Sequence, residues 1–144
     1  MKLYPPVITA GAAAAMLALD RWAPLARMAG HNAYGAAPAV LGLILVLWAA
    51  WTMRKHGTTL HPHGQASALV VSGPFRISRN PIYLGFGLIL FGLATSLGSS
   101  APFAVLSAWV FFMGHLFIRH EEEALAARFG DAFAGYCRKV RRWF

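Results

Sequence analysis

Three consecutive carboxylates, Glu121, Glu122 and Glu123, follow a long uncharged stretch and the pair Arg119-His120, in a chain whose only other acids are Asp20 and Asp131. Carboxylates this close to apolar surface are costly to desolvate unless something pairs with them. Two readings are open. They balance charge against Arg79 and Arg119, or one or two of them hydrogen-bond hydroxyls or an ammonium of a bound ligand. A second polar segment, 56–81, precedes the uncharged stretch. It contains Gly57-Thr58-Thr59-Leu60-His61-Pro62-His63-Gly64 and then Leu69-Val70-Val71-Ser72-Gly73-Pro74-Phe75-Arg76-Ile77-Ser78-Arg79-Asn80-Pro81-Ile82-Tyr83. Glycine and proline at this density fix a particular backbone rather than a loose linker.

Other chemistries have weaker support. His61 and His63 alternate with His56 nearby, but no H-x-x-x-H or H-E-x-x-H pattern accompanies them, and no metal is expected. His115, within the uncharged stretch, reads as a hydrogen-bonder between helices rather than a ligand. Cys137 is the single cysteine, which excludes a disulfide framework. No glycine-rich nucleotide fingerprint is present, so a Rossmann-type cofactor domain is excluded.

The elements that position these residues follow from the distribution of charge. The 144 residues are 58% hydrophobic and 12% charged, yet the net charge is +8. Soluble domains carry about 25% charged residues. Asn80 to Ile118 is 39 residues without a formal charge, Asn32 to Met53 is 22, and Leu3 to Leu19 is 17. A bilayer-spanning helix needs about 20 apolar residues. Nucleic-acid-binding domains do not sequester neutral residues in this way, and no nucleic-acid partner is expected. The longest run divides at Gly98-Ser99-Ser100-Ala101-Pro102, a turn followed by a helix-starting proline. The expected fold is all-α, a polytopic membrane helix bundle forming one domain over 1–144. Its spans fall at about 3–19, 34–53, 82–97 and 102–118, with a loop at 56–81 and a tail at 119–144. The last two spans form a helical hairpin that the two polar segments bracket, so loop and tail meet at one membrane face. Eleven Lys and Arg lie on that side and two, Arg21 and Arg27, on the other. The positive-inside bias puts both termini in the cytoplasm, as expected for a multi-pass protein of the cell inner membrane. Cys137 is then a reduced thiol.

Spans one and two are built for packing, Ala10 to Ala15 being nearly all alanine with one glycine and Val40 to Trp51 mostly leucine, valine, alanine and tryptophan, and Trp48, Trp51, Arg54 and Lys55 form an interfacial anchor. In the tail, Leu125, Phe129, Phe133, Tyr136 and Val140 recur at helical spacing as one apolar stripe, which Gly130 and Gly135 interrupt. The stripe packs onto the loop, lies amphipathically on lipid headgroups, or does both; Trp143 and Phe144 with the neighbouring basic residues suit the second.

Two blocks of residues carry a family resemblance. The first is Thr58-Thr59-Leu60-His61-Pro62 with Leu69-Val70, Gly73-Pro74-Phe75-Arg76, Arg79-Asn80-Pro81-Ile82-Tyr83 and Gly85. The second is Glu121-Glu122, Leu125, Phe129-Gly130, Phe133, Tyr136, Val140 and Arg142. In this order, flanking a helical hairpin, they resemble the signatures of the isoprenylcysteine carboxyl methyltransferase and phospholipid methyltransferase superfamily. Asn80 stands where the signature often has histidine, Phe133 replaces its first tyrosine, and Ser67 and Ala68 stand where a histidine often precedes the Leu-Val pair.

The resemblance implies an integral-membrane methyltransferase that uses S-adenosyl-L-methionine and releases S-adenosyl-L-homocysteine. It places the cofactor at the cytoplasmic ends of the last two helices. Glu121 and Glu122 would bind ribose hydroxyls or the cofactor ammonium. Arg79 would face the cofactor carboxylate or order the loop through backbone carbonyls. Asn80, Pro81 and Tyr83 would close the pocket, and Leu69, Val70, Gly73 and Pro74 would line its wall. Arg76 or Arg142 would orient a carboxylate acceptor, which needs no base. An amine acceptor needs one, for which a glutamate such as Glu122, or His61, would serve. The acceptor is expected to be a hydrophobic or lipid-like molecule entering from the bilayer, with membrane lipids as partners. The alternatives are a nicotinamide-dependent membrane reductase of the sterol-reductase type and a catalytically silent adaptor.

Overall fold

The structure is a computed structural model that describes residues 4–27, 34–58 and 67–144. His61 and His63, and with them the Thr59-to-Pro62 part of the first signature, lie outside the described residues. The remainder is helical, without a strand among the described residues.

Helix α1, Pro5–Trp22, starts on two prolines. Proline is well placed there, because its missing N–H would be unsatisfied in any case. Helix α2 covers Ala36–Lys55 and α3 covers Pro81–Leu97, the latter again starting on proline. Gly98 ends α3 in the left-handed conformation, with φ 76°, and its N–H reaches Ala94 O. This is the glycine-terminated helix end that lets the chain reverse within a few residues. Helix α4, Ala101–Met113, widens into a π-turn, Gly114–Ile118, and continues as α5, Arg119–Lys139. The expected hairpin and its tip therefore stand where the turn formers placed them. Gly130, at φ 48° and ψ −121°, kinks α5, whereas Gly135 stays helical.

Among the described residues, two helices are long and apolar enough to cross a membrane: α2, with mean hydropathy 1.9, and the continuous helix Ala101–Lys139, with mean hydropathy 1.8. Helix α3 is apolar but shorter.

Helices α2 and α3 are antiparallel and touch through glycines seven residues apart on each. A Cβ on Gly42 would meet Gly85 O at 2.5 Å and Ile89 N at 2.9 Å; one on Gly85 would meet Val46 Cγ2 at 2.6 Å and Gly42 O at 2.7 Å. Gly35 and Gly92 repeat the contact one step along, with Gly92 meeting Gly35 O at 2.5 Å and Ala39 N at 2.7 Å. Small residues thus let two backbones approach, the means by which helices associate where lipid offers no hydrophobic drive.

Helix α1 packs on the hairpin. Met16 is fully buried with Tyr83, Leu90, Ala94, Trp109, Met113 and Ile118. Trp109 Nε1 donates to Thr9 Oγ1 at 3.2 Å, while the same hydroxyl donates to Pro5 O at 2.9 Å. At the hairpin tip the buried Ser99 Oγ donates to Asp20 Oδ1 at 2.7 Å.

A second core joins the loop to the tail. Leu125, Phe129, Phe133, Tyr136 and Val140 all pack with Ala49, Met53, Leu69, Val70, Phe75 and Ile82. The apolar stripe of α5 therefore faces protein, and the packing alternative holds for it. Trp143 packs partly buried against the first core, while Phe144 is exposed.

Candidate active site

The short segment before α3 is tied to the end of the chain. Ser78 Oγ donates to Arg142 O at 3.0 Å, Asn80 Nδ2 to the same oxygen at 3.2 Å, and the Arg79 N–H to Arg141 O at 3.0 Å. Ser78 Oγ also accepts from the Asn80 N–H at 3.0 Å. Pro81 follows directly, so the residue before it is held out of the helical region and its side chain is free to reach across.

Arg79 occupies the centre. Its Nη1 donates to Val140 O at 2.9 Å and to Cys137 O at 3.3 Å, carbonyls at the end of α5 that have no helical partner. Its Nε and Nη2 donate to Glu122 Oε1 at 3.0 and 2.9 Å. Arg142 holds the other carboxylate oxygen, donating from Nε at 3.1 Å and from Nη2 at 2.5 Å to Glu122 Oε2. A carboxylate offers about four lone-pair positions, and Glu122 has all of them filled. Burial pushes its carboxyl up, but the hydrogen bonds from Arg142 and Arg79, with their charges, outweigh this and hold it below the ordinary range.

Glu121 is one residue earlier and faces elsewhere, since successive helical residues are about 100° apart. It accepts from Tyr83 OH at 2.7 Å. Burial raises its carboxyl, the Tyr83 hydrogen bond partly offsets this, and the charge of Glu122 adds to the rise. Glu123 pairs with Arg119 at 2.9 Å, and both are exposed. In the tail, Tyr136 OH donates to Phe75 O at 2.6 Å; burial, first among the causes, pushes this phenol up to about 12.

An open cleft of about 540 Å³ lies where the π-turn passes into α5. Glu122, Arg142 and Phe133 line it together with Gly114 and His115 of the π-turn and Arg119, Glu123 and Ala126 of α5. Of the residues expected at a site, Glu122 and Arg142 reach the cleft. Arg79 stands one ion pair behind them and Asn80 supports the Arg142 backbone. Tyr83 and Glu121 form a separate pair at the edge of the first core. Leu69 and Val70 pack between α2 and α5, and Pro74 is fully buried. Gly73, at φ 59°, lies against α2, where a Cβ would meet Thr52 Oγ1 at 3.1 Å. Pro81 is buried at the start of α3, and Arg76 is exposed and joins none of these hydrogen bonds.

Three features were not anticipated. His115, read as an interhelical bonder, bonds within its own helix: Nδ1 lies 3.1 Å from Phe111 O. Phe133, buried in the second core, also borders the cleft. Ser78, fully buried, bridges two segments; its position two residues before the Asn-Pro pair was the available signal.

Fold and site together define a class: an all-helical membrane protein whose apolar hairpin ends in an ion-paired carboxylate beside an open cleft. The chain belongs to the phospholipid methyltransferase family, whose model matches residues 31–132, within the superfamily that also holds the isoprenylcysteine carboxyl methyltransferases. It is accordingly a methyltransferase-type membrane enzyme. The matched stretch includes α2, the loop, the hairpin and the start of α5, and leaves α1 and Arg142 outside. No curated protein and no solved structure matches the chain.

Proposed function

We propose that this enzyme transfers a methyl group from S-adenosylmethionine to a hydrophobic or lipid-like acceptor, a carboxylate or an amine, at the cytoplasmic face of the membrane. The observation that carries this reading is the Arg79–Glu122–Arg142 cluster beside a cleft at the exit of an apolar helix. The cleft volume lies within the roughly 300–1,000 Å³ usual for small-molecule sites. Its donor set suits a ligand that carries a carboxylate, an ammonium, hydroxyls and a flat aromatic base. Arg142 and Arg119 offer N–H donors, Glu123 an acceptor, and Phe133 borders the cleft as an apolar neighbour.

When bound, S-adenosylmethionine supplies the methyl on a sulfonium, and the chemistry of transfer is its own. The chain's residues hold and orient. Arg142, about half exposed and gripped by Glu122, presents a fixed cation to a carboxylate. Glu122, its acceptor positions filled, positions both arginines rather than binding hydroxyls itself. Arg79 favours the loop-ordering role, because it also holds Val140 O and Cys137 O. The Tyr83–Glu121 pair fixes the start of α3 against α5. Such positioning can contribute about 7–11 kcal/mol to a two-reactant transfer.

One domain over 1–144 with four spans near 3–19, 34–53, 82–97 and 102–118, both termini cytoplasmic, in the inner membrane, is the topology that suits this reading. Membrane lipids are then its immediate partners. The contacts of Thr9 and Met16 with the hairpin support counting α1 among the spans. Family membership favours methyl transfer over the reductase and adaptor readings.

Calorimetry of the detergent-solubilised chain tests the cofactor, with S-adenosylhomocysteine in one titration and NADPH in another. Saturable binding of the first and none of the second is the expected result. The reverse pattern would remove the methyl donor from this site.

A further inference from the structure

We propose that His115 is the base that takes a proton from an amine acceptor of methyl transfer in the cleft; this rests on the methyl-transfer reading above. His115 sits in the π-turn, where the helix widens for one turn, a feature frequent at functional sites. Its ring stacks on Phe111, with centroids 4.3 Å apart. Nδ1 lies 3.1 Å from Phe111 O. A backbone carbonyl can only accept, so Nδ1 carries the proton, and in the neutral ring the lone pair is on Nε2. The backbone thus fixes the tautomer and leaves a basic nitrogen on a residue that lines the cleft.

The other basic candidates lining the cleft are engaged. Glu122 accepts four hydrogen bonds from Arg79 and Arg142, and Glu123 is paired with Arg119. The cations lining the cleft are paired as well, Arg119 with Glu123 and Arg142 with Glu122. An ammonium acceptor must give up a proton before it attacks, and His115 Nε2 is the ring nitrogen that the Phe111 carbonyl does not engage. Phe111, Phe112 and Leu116, exposed beside His115, give an apolar acceptor a lateral approach.

The step balances without a further reactant. His115 Nε2 takes one proton from the acceptor's ammonium, leaving a lone pair on nitrogen. That pair forms the new N–C bond to the methyl carbon of the sulfonium donor as the C–S bond breaks. The released electron pair stays on sulfur as a thioether, and the proton on His115 leaves to water through the open cleft.

The test uses the full chain in mixed micelles with labelled S-adenosylmethionine, offered tetradecylamine in one arm and myristic acid in the other. Alkali releases label as methanol from a methyl ester and not from an N-methyl product. The expected result is alkali-stable label from the amine, lost at least a hundredfold in His115→Ala and partly restored by added imidazole. His120→Gln, at a neighbouring exposed histidine, should leave the rate unchanged. S-adenosylhomocysteine should bind His115→Ala as it binds the wild type, which separates loss of the base from loss of the cofactor site. Nitrogen NMR of histidine-labelled protein without cofactor should show His115 protonated at Nδ1 alone at alkaline pH. Label confined to myristate, or an amine rate that survives His115→Ala, overturns the proposal while leaving cofactor binding intact.

Discussion

The α2–α3 seam and the Arg79–Glu122–Arg142 clasp are held by opposite means. The seam carries no charged side chain at its closest points; Gly42 and Gly85 bring backbones together so that a Cβ has no space, and Gly35 sits likewise against Gly92 O and the Ser96 hydroxyl. The clasp is charged throughout, with Arg79 and Glu122 both mostly buried and Arg142 more open. Packing at the seam depends on shape and is insensitive to pH and salt. The clasp depends on ionisation and on three segments of chain meeting, 78–80, the start of α5 and 137–142. The seam therefore places the elements, and the clasp aligns the groups that face the cleft.

The largest expected effect comes from breaking the seam. Gly85→Val inserts atoms where Gly42 O already stands 2.7 Å from an added Cβ. Backbone cannot yield as a flexible side chain would, so the cost should exceed the ~1–3 kcal/mol of ordinary overpacking. Gly85→Val should give little monodisperse protein on size exclusion in detergent. Gly87→Ala, on the same helix, places its Cβ 3.5 Å from the Trp109 ring, an ordinary contact. It should be tolerated. Equal behaviour of the two variants would mean the seam is looser than its geometry.

Breaking the clasp should cost less and reach function more directly. Glu122→Gln leaves two arginines facing an amide and strips Arg79 of its counter-charge. Breaking a fully buried pair costs about 3–5 kcal/mol. The half-open Arg142 moderates this, so about 2 kcal/mol is expected for Glu122→Gln. Its melting temperature should fall by several degrees, and its affinity for S-adenosylhomocysteine at least tenfold. Full stability with weakened binding would make Glu122 a ligand contact rather than a positioning residue.

Much of this was legible because membranes impose simple rules. Uncharged runs marked the helices, and Gly98 with Pro102 marked the hairpin turn to within a residue. The signature residues Glu122, Arg79 and Arg142 proved to meet. What stayed hidden was direction. Helical spacing shows that Leu125 to Val140 share a face but not that the face meets the loop. The π-turn has no sequence marker, so His115 read as a hydrogen-bonder between helices. Adjacent glutamates look alike in sequence, and only the contacts on each side of α5 separate Glu121 from Glu122.

That separation gives the smallest and most discriminating prediction. Glu122 has a folded carboxyl below its unfolded value of about 4.3. Its contribution is therefore complete above that unfolded value and is lost as pH falls through the lower, folded one. Glu121 is raised in the fold, with burial the main cause. The fold favours its protonated form, so its contribution is present at acid pH and lost as pH rises from the unfolded value through the folded one. Glu121→Gln keeps an uncharged side chain beside Tyr83 and removes that loss. Melting temperatures in detergent should then show Glu121→Gln gaining on the wild type as pH rises above about 4.3. Glu122→Gln should lose ground to the wild type over the interval just below it. Parallel curves for the two variants would mean that Tyr83 and the arginine pair create equivalent surroundings, and that neighbouring carboxylates on α5 have not been given separate tasks.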